Sequence, residues 1–193
     1  MASTPPDPER FAALDRRWRD LAARYPAGIR LADPVDVDAG VPVPDPLRPA
    51  AAAFPGVELG SSPWGWWTEG AAAPSMAHRT RFQTVWWEGR EGVCVRLEGG
   101  SREPGPVVSF NEEGRERRLA DDVTDFWEHV TAEVEARLPP LAEEIEEELA
   151  ADGLEGDEAD EARSEEYADA LGAIVAGLCF GYGRQAPPMG DPL

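Results

Sequence analysis

Two cysteines and two histidines are the residues best suited to nucleophilic or metal chemistry in this 193-residue chain. Cysteine–histidine catalysis would pair Cys94 or Cys179 with His78 or His129, the imidazole taking the thiol proton. Both cysteines lie in apolar surroundings, GVCVRL and AGLCF. They read as buried, reduced thiols rather than as a nucleophile or a disulfide framework. His129 follows Asp125 by four residues, so on a helix the two share a face. A zinc site needs at least three protein ligands, and only generic glutamates remain to supply the rest. The plainer reading is a surface histidine beside a carboxylate. Ser61, Ser62 and Ser75 lack the glycines of a nucleophile elbow, and neither a phosphate-binding loop nor a dinucleotide glycine motif occurs. Paired carboxylates of the glycosidase kind carry no information where acids are so abundant. The sequence therefore predicts no enzyme, no metal and no cofactor.

Chemistry of recognition is better represented. Seven tryptophans occur, five of them between Trp64 and Trp87. Trp64, Trp66 and Trp67 fall in a segment with Pro63 and Gly65 that reads as a loop. Tryptophan is enriched at binding hot spots, so these three are candidate partner contacts; the plainer reading is core and structural aromatics. Trp86 and Trp87 should point to opposite faces of a strand, so both are buried only if both faces are covered.

The second candidate is charge. The chain carries 38 acids against 18 bases, a net of −20, and every base is arginine. From Glu133 to Asp169 there are 16 acids and 2 arginines, a net of −14; the remainder carries only −6. Glu143, Glu144, Glu147, Glu148, Asp157 and Glu158 represent the densest part. A solvated helix and linker is the bland reading of such a run. The sharper one is an element that meets a basic surface or mimics nucleic acid to a nucleic-acid-binding protein. Direct nucleic-acid binding is disfavoured, because phosphates need clustered cations. An anionic membrane surface is disfavoured for the same reason. No run approaches the roughly 20 apolar residues of a membrane span. The opening residues MASTPPDPER lack the basic and apolar regions of a signal peptide. A cytoplasmic location is expected.

These residues must be positioned by an α+β domain. Asp7 caps a first helix whose apolar stripe is Phe11, Leu14, Trp18, Leu21 and Tyr25. Residues 33–49 are proline-rich and read as an extended connector. A short helix over 49–54 and a short strand over 57–59 follow. Alternation over 79–87, then 93–97, 107–110 and 115–119, predicts an antiparallel sheet of three to four strands. A helix capped at Asp121 or Asp122 carries Val123, Phe126, Val130, Val134 and Leu138, and Pro139-Pro140 should end it. Leu141 to Ala151 predicts an acidic helix, 152–161 a linker, and Ser164 onward a last helix stopped by Gly181 and Gly183. Helices should pack on one face of the sheet. The predicted organisation is a core over 1–138, an acidic helical extension over 139–185 and a tail over 186–193.

The segment from Val93 to Leu138 resembles the C-terminal half of the SUKH superfamily. Gly105-Pro106-Val107-Val108 matches a family strand, Leu119-Ala120-Asp121 the approach to a helix, and Phe126-Trp127 the helix start. The residues from Pro44 to Gly60 are similar to its early helix and strand. The acidic extension lies outside the pattern. The resemblance implies an α+β fold and a binding role, many bacterial members being immunity proteins that neutralise toxins, often nucleases. An acidic inhibitor suits a basic nuclease. The sequence expectation is thus a non-catalytic module binding another protein with a basic surface. The alternative is a structural or accessory subunit of a larger assembly.

Overall fold

Asp7 accepts a hydrogen bond from the Glu9 amide at 2.9 Å and starts helix α1, Pro8–Arg24. In the computed structural model, residues 6–33, 43–60, 62–66, 82–88, 90–98, 103–111, 113–154 and 156–181 are described. The predicted stripe is real: Phe11, Leu14, Trp18 and Leu21 of α1 are buried. Strand β1 is Ile29–Leu31, helix α2 is Arg48–Ala53 after a single 3-10 turn, and strands β2 and β3 are Gly56–Leu59 and Ser62–Gly65. These strands form a three-stranded antiparallel sheet in the order β1-β2-β3. Strands β4 (Phe82–Glu88), β5 (Glu91–Glu98), β6 (Glu103–Phe110) and β7 (Glu116–Ala120) form the predicted meander, four-stranded and antiparallel. Helices α3, Val123–Asp152, and α4, Asp157–Phe180, complete the described chain.

The architecture is α+β, with helices packed against antiparallel sheets. Val93, Val95 and Val107 of the meander share one buried cluster with Phe126, Val130 and Val134 of α3 and Leu171, Ile174 and Val175 of α4. The Ser109 hydroxyl donates to the Cys179 carbonyl at 2.8 Å, tying β6 to the end of α4. Asp122 caps α3 by accepting from the amides of Thr124 and Asp125.

Three expectations are corrected. Pro139-Pro140 does not end the helix: α3 runs through both prolines to Asp152. An interior proline costs roughly 3 kcal/mol. Burial of Ile145 and Leu149 beyond them, in one cluster with Tyr167, Leu171 and Ile174, returns about 1.5–3 kcal/mol per large side chain, so over five such side chains packing overrides the stop signal of both prolines. The linker expected over 152–161 is not observed as such, because α3 runs to Asp152 and α4 begins at Asp157 rather than near Ser164. Asp157, Glu158 and Asp160 occupy its first turn, where carboxylates complement the positive helix end. Finally, the segment read as a tryptophan loop supplies β3 of a second sheet. That sheet sits close on α4: Gly60 has φ +61, and a side chain there would run into Ala168.

Candidate functional site

Among the described residues, the groups that could do nucleophilic or metal chemistry are not assembled. Cys94 and Cys179 form no disulfide and are buried, and burial pushes both thiols up to about 12. A thiol so displaced supplies little thiolate. His78 lies outside the described residues. Asp125 is engaged by Arg10 at 2.9 Å. Among the described residues no group of three or more His, Cys, Asp and Glu could hold a metal ion.

The tryptophans fall in different places. Trp66 is 3% exposed, not displayed on a loop. Its indole N–H donates to the Phe54 carbonyl at 2.7 Å, and its ring lies 5.8 Å from that of Phe11. Trp64 belongs to β3 and is also buried. Trp67 lies outside the described residues, as does the side chain of Trp87. Trp86 is half-buried and stacks on Trp64, with ring centroids 5.0 Å apart and planes 9° from parallel. Its indole N–H donates to the Ser62 hydroxyl at 2.8 Å, and Phe180 of α4 leans on it at 5.6 Å. This aromatic stack walls a cleft of about 390 Å3 between the two sheets and α4. Ala168, Gly172 and Ala176, one turn apart on α4, line the opposite side. Sequence reasoning missed the cleft, since the signal was only that small-residue spacing set against an aromatic strand 80-odd positions away.

The acids divide into two populations along α3. Near its start they are neutralised. Arg10 reaches Glu128 at 2.7 Å as well as Asp125, and Arg17 makes a two-pronged contact to Glu135, at 2.9 and 2.6 Å. Hydrogen bonds from these guanidinium groups hold the Glu128 and Glu135 carboxyls below the ordinary glutamate value. The ionised forms are therefore favoured by the fold. Each pair adds stability above the ordinary value and loses it as pH falls through the lowered one. Both partners are more than a third exposed, so the contribution is small. Arg17→Ala is expected to return the Glu135 carboxyl upward toward its ordinary titration, followed by carbon-detected NMR, with Glu128 shifting less.

Beyond Pro140, among the described residues, only Arg163 pairs with the acids. The distal half of α3 and the first half of α4 form an acidic hairpin, closed inside by Ile145, Leu149, Tyr167 and Leu171. Arg163 bridges the arms, pairing with Glu146 at 3.0 Å and Asp160 at 2.8 Å. Glu143, Glu144, Glu147, Glu148, Asp157 and Glu158 are all exposed. Among the described residues none of them has an arginine within ion-pairing distance. The hairpin thus brings two sequence-separated acidic runs together on one pair of packed helices.

Comparison with protein-family models, with curated proteins and with solved structures finds no match. Among the described residues no helix is long and apolar enough to cross a membrane.

Proposed function

We propose that the chain is a non-catalytic protein-binding module that docks a basic protein surface on the α3–α4 hairpin. One observation carries this reading: the arginines of α1 pair with Asp125, Glu128 and Glu135 of proximal α3, while among the described residues Glu143, Glu144, Glu147 and Glu148 of distal α3 are exposed and have no arginine within ion-pairing distance. Uncompensated acid on a rigid element raises the rate of encounter with a cationic partner and rejects anionic ones. A basic toxin of the nuclease class, neutralised in the cytoplasm, is the partner that this charge and the SUKH resemblance favour together. The buried, reduced cysteines are compatible with that compartment.

The test is association with the protein encoded by the neighbouring gene, followed by stopped-flow at several ionic strengths. The on-rate should fall about tenfold or more on going from low to high salt. It should fall comparably at low salt when Glu143, Glu144, Glu147 and Glu148 are all changed to Gln, with the circular dichroism spectrum unchanged. No association, or a rate indifferent to both changes, overturns the reading.

A further inference from the structure

The cleft between the sheets and α4 has features that the hairpin does not explain. Its wall is the stacked pair Trp64 and Trp86, with Trp86 only half-buried. Ser62 fixes the Trp86 indole from behind, through its hydrogen bond with the ring N–H. Asp169 lines the cleft from α4; it is exposed, and among the described residues no arginine pairs with it. Glu91 of β5 lines the cleft as well, and no basic residue is among its described lining.

Gly172 lies one turn beyond Asp169, and a Cβ there would meet nothing within 4 Å. Glycine inside a helix is unfavourable relative to alanine. Close packing explains such a glycine when a neighbour occupies the space, as Ala168 does at Gly60. At Gly172 the space is open, so the fold does not require the missing side chain. Its absence keeps the cleft floor clear.

The geometry points to a binding pocket for an arginine side chain presented by the basic partner. A guanidinium is planar and cationic: it lies against an aromatic face within about 6 Å of the ring centroid and offers donors to a carboxylate beside it. Trp86, half-buried between Trp64 and Phe180, supplies the aromatic surface that lines the cleft, Asp169 the carboxylate, and Gly172 the room for the aliphatic stem. This rests on the reading above only for the source of the cation, since the pocket's chemistry is independent of the hairpin.

The experiment titrates the 15N-labelled full chain with N-acetyl-arginine amide and, separately, with its neutral isostere N-acetyl-citrulline amide. The reporter is the Trp86 indole N–H signal, assigned by its loss in Trp86→Phe. The arginine probe is expected to move it saturably, with citrulline binding about tenfold more weakly. Gly172→Leu should abolish the response without lowering the thermal midpoint, and the surface change Asp169→Asn should weaken it. The four-glutamine hairpin variant should respond as the unaltered chain does, so the pocket and the hairpin can fail separately. Equal binding of the two probes, no shift with arginine, or an undiminished shift in both Gly172→Leu and Asp169→Asn overturns the assignment.

Discussion

Trp66→Ala is expected to cost about 3–5 kcal/mol of folding stability and to leave the encounter rate with a basic partner nearly unchanged in whatever fraction stays folded. Trp66 packs on Phe11, which in turn lies 6.4 Å from Phe54, and Phe54 meets Trp127 edge-on at 5.0 Å. Removing the indole opens a void at a junction of α1, α2 and α3. It also leaves the Phe54 carbonyl without the donor it has at 2.7 Å. Trp66→Phe separates the two effects: most of the packing stays and the hydrogen bond goes, for roughly 1–3 kcal/mol. Urea denaturation of both variants measures this. A loss below about 1 kcal/mol in Trp66→Ala, well short of the large-to-small range, would mean that Trp66 sits at the surface, as its reading as a partner contact on a loop requires.

Ending the chain after Leu138 should abolish cooperative folding. Such a deletion looks attractive on the sequence, where Pro139-Pro140 reads as the close of the core before an acidic extension. In the structure, Ala142, Ile145, Leu149, Tyr167, Leu171, Ile174 and Val175 belong to the same buried cluster as Val57, Val93 and Leu138. At about 1.5–3 kcal/mol per large apolar side chain, their loss matches or exceeds the 5–15 kcal/mol that typically holds a domain together. The expected product has poor amide dispersion and no sharp thermal transition. A truncated chain with native-like dispersion would instead make residues 139–185 a separable extension. The hairpin's role in binding is therefore best assayed by neutralising its carboxylates in the whole chain.

These two results bear on what the sequence made legible. The stripe of α1 was readable because five apolar residues at helical spacing outnumber any competing pattern. The meander was readable because alternation and glycine turns agree over several strands. Of the first sheet only β2 was, as the short strand over 57–59: β1 has three residues, and β3 is Ser62–Gly65 with a proline in it, too short for a period and contrary to strand composition. The two prolines of α3 are the reverse case, a strong local signal overruled by tertiary burial. Of the candidate site, the exposure of Glu143, Glu144, Glu147 and Glu148 follows from their alternation with Ile145 and Leu149 in a helix. That the acids nearer the start of α3 would be neutralised could not be read, because Arg10 and Arg17 lie far away in the chain. Nor could composition distinguish a tryptophan held in the core from one lining a cleft, since that depends on which strand pairs with which.

The arginine contacts of α1 also act as a measuring rod. Arg10 meets Glu128 and Arg17 meets Glu135 at the same sequence offset of 118 residues, so the two helices run side by side in the same direction, in step every two turns. The next rung would set Arg24 beside Ala142, which offers no carboxylate, and α1 ends there before Pro26. The edge of the bare negative surface is thus drawn by where a different helix stops. Shortening α1 by one seven-residue step would remove the Arg17–Glu135 rung and move that edge toward the start of α3, whereas lengthening it would add only rungs at Ala142 and Leu149, which offer no carboxylate, so the reach of the electrostatic face is set by a backbone terminus together with the acids it meets.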